Sequence, residues 1–185
     1  MFSDFKKEAI VLLRASFLFN FASGFFLPFY ALFAQKVGGS LLDTGIAYAI
    51  FSIATGLIIL IFCRSQIYLN NVRRIIVAGY FAIGIIYLLY MLVGSRLSLF
   101  FIQAILGIII GLSAPAWDAV FGSDLAEKAA GRQWSVWTGG VNIAVGLGAL
   151  LGGLIVDIYS FSVLFLIMAG INFIAGFVSW RIFKL

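Results

Sequence analysis

The residue best placed to do chemistry in this sequence is Asp118, the only carboxylate well inside a long apolar run. It lies three residues after Pro115, one of only two prolines, and it precedes a charged loop and a run of glycines. Ionisable groups inside apolar segments cost free energy, and they are kept mainly where they contact solutes, ions or one another. Asp118 is therefore the first candidate for contact with a substrate or an ion.

A structural role for Asp118 is equally open at this point. A rise of 1.5 Å per helical residue puts it roughly 10–12 Å from the middle of the membrane, where a carboxylate still needs a partner or water. Trp134 and Trp137 could donate hydrogen bonds to it. Arg132 or Arg14 could form an ion pair with it. Any of these contacts would lock one end of a helix bundle without binding a solute.

Five further polar or charged residues within apolar runs are candidates for contact with a solute or an ion. They are Arg14, Asn20, Gln103, Thr138 and Asn142. Asn20 shares a helical face with Ser16 and Ser23, which are spaced i, i+4 and i+7. Inside a membrane such a face either lets another helix approach closely or lines a water-filled path. Arg14 lies near the end of its run and could instead extend to the lipid headgroups.

The elements that hold these residues follow from composition. Hydrophobic residues make up 64% of the chain and charged residues 10%, against about a quarter charged in a soluble domain. Six apolar runs are each close to the roughly 20 residues that a helix needs to cross a bilayer. They lie at about 9–34, 44–63, 75–94, 97–121, 134–156 and 161–180. We expect an all-α integral membrane protein in which residues 1–185 form a single six-helix bundle.

The basic residues predict how this bundle is oriented. With six spans both termini share one side, and ten of the 12 lysines and arginines fall on that side. The excess predicts cytoplasmic termini in a multi-pass protein of the cell membrane, the inner or plasma membrane. The net charge of +5 is scattered over short loops, so lipid headgroups are better partners than nucleic acid. A single cysteine, Cys63, excludes an internal disulfide.

Polar residues are unevenly spread over the six helices. The first, second, fourth and fifth carry polar stripes, whereas the third and sixth are nearly all apolar, and we expect those two at the lipid-facing periphery. In the fifth helix, Gly148, Gly152 and Gly153 form a small-residue pattern that favours close helix packing. They lie inside an apolar helix and follow no strand, which argues against a phosphate-binding loop.

The two halves of the chain share short patterns. Pro28 and Pro115 each follow a glycine by four residues, and Thr-Gly pairs open the second and fifth helices at Thr44 and Thr138. The offsets are 87 and 94 residues. Because three spans separate the copies, the first helix runs outward and the fourth inward. The pattern indicates two inverted three-helix repeats, at about 1–94 and 97–185.

Four local motifs resemble those of the major facilitator superfamily of transporters. Where that family has Gly-x-x-x-Asp-Arg-x-Gly-Arg-Arg/Lys after its second helix, this chain keeps only Arg73 and Arg74. Where the fourth helix often has an arginine four residues before a glycine, Gln103 stands here. The segment from Pro115 to Ala119, followed by Asp124, is similar to the family's Pro-Ala segment. The fifth helix matches its glycine motif without the proline, at Ala144, Gly148, Ala149, Gly152 and Gly153.

The resemblance covers the six-helix N-terminal half of the family's fold and implies a half-size member with two inverted three-helix repeats. It implies secondary active transport of a small solute by alternating access, with Arg14, Asn20, Gln103, Asp118, Thr138 and Asn142 lining the cavity. It also implies a cytoplasmic gate built from Arg73, Arg74, Asp124 and Arg132, in which Arg73 or Arg74 could pair with Asp124. Coupling to a proton or another ion would fall to Asp118. Because substrate binds between two halves in this family, we expect a parallel homodimer.

The sequence gives less support to other functions. A non-transporting scaffold, or a degenerate half that pairs with another membrane protein, is the alternative. An enzyme is disfavoured because the chain has no histidine and no Gly-x-Ser-x-Gly motif, and no cofactor or metal is expected. Neither proline follows an asparagine, unlike the paired motifs of six-helix water channels. The solute, the direction of transport and the coupling ion are not specified, nor is the choice between a homodimer, a heteromeric half and a fragment of a longer transporter.

Overall fold

The computed structural model describes residues 5–184, apart from the side chain of Glu127. Six helices are long and apolar enough to span a membrane, which confirms the predicted class. In chain order α1 to α6 are Lys7–Lys36, Leu41–Phe62, Val72–Tyr90, Arg96–Asp124, Ala130–Ile158 and Phe161–Lys184. Several of these helices extend beyond the apolar runs. The predicted domain also includes residues 1–4 and 185, which lie outside the described residues.

Serine caps fix the starts of three helices. Ser40 accepts a hydrogen bond from the backbone N–H of Asp43, and the Asp43 carboxylate accepts one from the N–H of Ser40. Ser95 and Ser98 form the same reciprocal box at the start of α4, and Ser160 caps α6. Such caps satisfy N–H groups that would otherwise be unpaired at a helix end. They allow the short links 37–40, 91–95 and 159–160 to reverse the chain.

The helices form a front row and a back pair. In the row, α2 packs on α4, α4 touches α1, and α1 packs on α5. Behind it, α3 packs on α4 and α6 packs on α1, and α3 and α6 pack on each other. Helix α1 of the first repeat packs on α5 of the second, and α4 of the second repeat packs on α2 of the first. Each of these pairs therefore contains one helix from each repeat. This packing agrees with the arrangement of two inverted three-helix repeats that the resemblance implies.

The two ends of the row are the least covered elements. Within Leu41–Phe62, all of which the structure describes, Ala47 is the only fully buried residue. By contrast, α3 and α6 each bury one whole face. The expectation that the third and sixth helices are simply peripheral was therefore wrong in part. A helix with few polar side chains can bury an aromatic face as readily as expose it to lipid.

Glycines set the distance between paired helices in the row. The Cα of Gly24 abuts the backbone of Val145 in α5, and Gly148 and Gly152 abut the carbonyl groups of Phe21 and Phe25 in α1. Gly153 faces the ring of Phe29. A side chain at the first three glycines would meet backbone, so only glycine allows helices to approach so closely.

The same device recurs between α2 and α4. A Cβ at Gly107 would lie 2.5 Å from the carbonyl oxygen of Phe51, and one at Gly111 would lie 2.8 Å from that of Thr55. The Thr55 hydroxyl donates to the Gly107 carbonyl oxygen at 3.1 Å. Close backbone approach thus gives α4 a hydrogen bond from its neighbour.

Both prolines lie where backbone hydrogen bonds are interrupted. Pro28 lies in a 3-10 turn, Leu27–Phe29, that divides α1. Pro115 lies inside α4 and has no N–H to offer the Gly111 carbonyl. The freed Gly111 oxygen lies 3.5 Å from the Cys63 thiol, which donates to it. A neighbouring side chain thus replaces the backbone hydrogen bond that Pro115 cannot donate.

Tyr68 makes a second such contact from the link between α2 and α3. Its hydroxyl donates to the carbonyl oxygen of Leu112 at 2.8 Å. Burial raises the pKa of Tyr68, so the hydroxyl stays protonated and remains a donor. The link is therefore fastened to α4 at the turn that precedes Pro115.

Candidate functional site

A groove on the front of the bundle follows the contact between α1 and α4. Two cavities along it share the side chains of Phe19 and Ile110. Helix α3 forms the back of both, α5 adds a residue to one and α2 adds residues to the other. The groove is flanked by the two least covered helices. We call its two parts the Asp118 cavity and the Gln103 cavity.

The Asp118 cavity has a volume of about 280 Å³. Its lining is mostly apolar or aromatic, and Asp118 is the only charged residue in it. The lining residues are Ser16, Phe19, Asn20, Ile76, Tyr80, Ile83, Ile110, Ser113, Ala114, Trp117, Asp118 and Trp137. Two of the six cavity residues expected from the sequence, Asn20 and Asp118, thus meet here.

Ser16 organises the polar side of this cavity. Its hydroxyl oxygen accepts a hydrogen bond from the Trp137 indole at 3.0 Å and one from the Asn20 amide at 3.2 Å. The Asn20 amide also donates to the Ser16 backbone carbonyl at 2.8 Å. These bonds hold the Trp137 ring against α1 and leave the Asn20 side-chain oxygen with no bond inside the described chain.

The Asp118 carboxylate has no hydrogen bond or ion pair among residues 5–184 outside the side chain of Glu127. The Trp137 indole, one of its expected partners, donates to Ser16. Arg14 is exposed and makes no ion pair with any described side chain. The structure does not form the locking contacts that the alternative role required, and the carboxylate stays available to the cavity.

The Gln103 cavity is larger, about 390 Å³, and carries no charge. Its lining includes Gln103, Ser23 and the tyrosines Tyr30, Tyr48, Tyr87 and Tyr90. The Tyr90 hydroxyl is buried and has no hydrogen-bond partner among the residues that the structure describes. Gln103 is 4% exposed and its amide lies close to the Tyr30 hydroxyl. Buried hydroxyls without partners are costly, and they mark places where a bound molecule can complete the bonding.

Three of the expected cavity residues do not line either cavity. Arg14, Thr138 and Asn142 are exposed on the outer surfaces of α1 and α5. The Asn142 amide donates to the Thr138 carbonyl oxygen of its own helix at 2.8 Å. These residues therefore face lipid or a second protein surface in the single bundle.

Ion pairs join helix ends on the face of the bundle that holds Lys6 and Lys184, the termini face. Arg73 binds both oxygens of Glu8, at 2.6 and 3.1 Å. Lys6 pairs with Asp124 at 3.3 Å. The pair that the sequence suggested, between Asp124 and Arg73 or Arg74, is thus not formed.

Arg74 and Arg132 are the other two residues of the predicted gate. Arg74 donates to the Asn71 side chain at 3.3 Å, and Arg132 is exposed at the start of α5.

On the opposite face Asp43 lies 4.0 Å from Arg96. Both faces thus have ion pairs between helices, and the pairs on the termini face are closer.

The tyrosines of α3 are the main site residues that the sequence analysis missed. Tyr80, Tyr87 and Tyr90 are 7%, 6% and 1% exposed, and all line the groove. Their spacing, i, i+7 and i+10, places them on one helical face. This spacing was available in the sequence, but the apolar part of that helix, residues 75–90, contains no Ser, Thr, Asn or Gln to mark the face.

Comparison with known proteins agrees with this architecture. The family model described as Major Facilitator Superfamily matches residues 12–185. The uncharacterized MFS-type transporter MJ1560 of Methanocaldococcus jannaschii is 23% identical over 176 residues, which are 95% of this chain and 45% of that protein. The uncharacterized MFS-type transporter YitZ of Bacillus subtilis is 21% identical over 159 residues, 84% of this chain and 94% of that protein. This chain therefore spans less than half the length of the first relative, and it belongs to the major facilitator superfamily.

Proposed function

We propose that this protein is a secondary active transporter that moves a small solute by alternating access. The observation that carries the proposal is the groove between α1 and α4, where within the described chain the exposed Asp118 carboxylate makes no ion pair and the buried Tyr90 hydroxyl makes no hydrogen bond. A bundle built only as a scaffold gains nothing from burying a hydroxyl without a partner, because such a group costs free energy. A solute that passes along the groove would satisfy both groups in turn. Asp118 would also take up a coupling proton or other cation.

The second half of the transport path comes, in this proposal, from a second copy of the chain. Helices α2 and α5 flank the groove, and their outer faces are exposed along their length. If the two grooves face each other across a two-fold axis along the membrane normal, α2 of one copy meets α5 of the other. Thr138 and Asn142 then lie at the junction between bundles.

The ion pairs of the termini face would form the gate on that side. The proposal places the termini in the cytoplasm and the protein in the cell membrane, as the distribution of basic residues predicts. Arg73, Arg74, Asp124 and Arg132 remain the gate residues, with Glu8 and Lys6 added as the partners of two of them. Opening on that side requires these contacts to separate while the opposite face closes.

Alternating access predicts that a residue in the groove is reached from both sides of the membrane. In a Cys63→Ser background, a cysteine at position 20 should react with a membrane-impermeant maleimide in right-side-out and in inside-out vesicles. Cysteines introduced at Asn70 and Gly94, which are exposed in the links on opposite faces, serve as controls and should react from one side each. Labelling of position 20 from a single side would support a scaffold and count against a carrier.

The dimer predicts which surfaces meet. Copies carrying Ser52→Cys in α2 should cross-link to copies carrying Asn142→Cys in α5, in native membranes and without the native cysteine. The control pairs Asn142→Cys with Ile85→Cys, which is exposed on α3 behind the row, and should give no product. Cross-linking of the control pair alone, or of neither pair, would contradict the two-fold arrangement.

A further inference from the structure

The charge in the groove points to the kind of solute that it accepts. Among the described residues that line the two cavities, Asp118 is the only one with a charge. No described side chain neutralises it. The chain has a net charge of +5, so the groove is negative within a basic protein. A bound cation would compensate the carboxylate, whereas an anion would be repelled by it.

Four aromatic rings form part of the remaining lining of the Asp118 cavity. Phe19, Tyr80, Trp117 and Trp137 line it together with the carboxylate. Trp117 and Trp137 have ring centroids 5.0 Å apart, and the indole of Trp137 is held by its bond to Ser16. Rings of this kind attract cations through their π faces and accommodate apolar groups equally well. The site thus has an anionic group beside an aromatic wall.

The donor set does not suit a metal ion. Calcium takes six to eight oxygen ligands and magnesium an octahedral shell. The cavity offers a single carboxylate; its other side-chain oxygens are the Asn20 amide oxygen, the Ser113 and Tyr80 hydroxyls, and the Ser16 hydroxyl, which already accepts two hydrogen bonds. A bare proton would need no aromatic wall. The volume of about 280 Å³ is at the small end for ligand cavities, which fits a compact molecule.

We propose that the Asp118 cavity binds a small monovalent organic cation, a quaternary or protonated amine with an apolar body. The carboxylate compensates the charge, and the rings of Trp117, Trp137 and Tyr80 contact the alkyl or aryl groups around the nitrogen. This inference rests on the proposed transport function, because it names the class of solute that the groove carries.

The test measures binding to the full chain in lipid nanodiscs by isothermal titration calorimetry. The probe is phenyltrimethylammonium, whose fixed charge does not depend on pH, and the comparison ligand is benzenesulfonate, an anion with a similar ring. We expect saturable binding of the cation and none of the anion. Asp118→Asn should weaken cation binding about tenfold or more, because the compensating charge is lost. Trp137→Leu should weaken it about threefold.

Two further variants keep the result interpretable. Asp157→Asn removes an exposed carboxylate of α5 that lines neither cavity, and binding should not change. Asp118→Glu keeps the charge and should keep the preference for the cation. Circular dichroism checks that each variant is folded. Absence of saturable cation binding, equal binding by wild type and Asp118→Asn, or equal binding of benzenesulfonate would overturn the proposal.

The outcome separates this inference from the transport proposal. If position 20 is labelled from both sides of the membrane but the cation does not bind, the carrier stands and the solute class is wrong. If the cation binds at Asp118 but position 20 is reached from one side only, the site is a cation-binding site in a protein that does not transport.

Discussion

Replacing Gly152 by leucine is expected to separate α1 from α5 and to destabilise the bundle by about 3 kcal/mol or more. A Cβ at this position would meet the backbone of Phe25. Backbone cannot rotate away as a flexible side chain can, so the two helices must move apart. The free energy of unfolding, measured by circular dichroism during titration with sodium dodecyl sulfate in mixed micelles, reports the loss.

Gly146 provides the matched control, six residues earlier in the same helix. It is exposed, and nothing lies within 4 Å of a Cβ built there. Gly146→Leu adds the same side chain and the same gain in helix propensity, so the variant should be as stable as the wild type or more stable by up to about 1 kcal/mol. Equal losses at the two positions would show that α5 does not need close contact with α1 at Gly152.

Tyr90→Phe should have the opposite effect on stability and raise the free energy of unfolding by about 1–3 kcal/mol. The side chain is 1% exposed, and its hydroxyl has no hydrogen-bond partner in the part of the chain that the structure describes. Phenylalanine keeps the aromatic packing against Phe26 and Phe165 and removes the desolvated hydroxyl. The same titration measures the gain. If the hydroxyl contacts the solute, the stabilised variant should transport more slowly, which is a common exchange between stability and activity.

Tyr68→Phe tests the argument with the same chemical change. Its hydroxyl donates a 2.8 Å hydrogen bond to the Leu112 carbonyl, so the variant should lose about 1 kcal/mol. A gain at Tyr68, or a loss at Tyr90, would contradict the hydrogen-bond assignment of these hydroxyls.

The six helices were predictable because hydrocarbon imposes a length and a composition on any spanning segment, and the family was predictable from the resemblance of local motifs. The close-packing role of Gly148 and Gly152 was also readable, since small residues one helical turn apart have few other uses in an apolar helix. The pairing of Asn20 and Asp118 in one cavity followed from their places in the first and fourth helices.

The direction in which an individual polar side chain points was less predictable. The sequence argument assumed that amides inside a membrane must share an aqueous cavity. Asn20, Asn142 and Asn172 instead each donate to the carbonyl oxygen four residues earlier in their own helix. A helix can thus satisfy the donor of an asparagine without a neighbour, and the residue type alone does not say which way it faces. The assumption of a shared cavity is why the sequence argument assigned Thr138 and Asn142 to the cavity.

Ion-pair partners could not be read from the sequence either. Arg73 and Glu8 lie 65 residues apart, and Lys6 and Asp124 lie 118 apart. The resemblance to family motifs suggested Asp124 as the partner of Arg73 or Arg74. The start of α1 places Glu8 in reach of Arg73, and only the packing of the bundle shows it.

The hydrogen bonds around Pro115 join one part of the bundle into a unit that can move as a whole. Thr55, Cys63 and Tyr68 donate to three carbonyl groups along α4, at Gly107, Gly111 and Leu112. Helix α2 and the link after it are therefore tied to α4 and should move with it as one body. Helices α1 and α5, locked by glycine contacts, form another. The seam between the two bodies runs along the groove, so relative sliding at that seam would change the shape of both cavities at once.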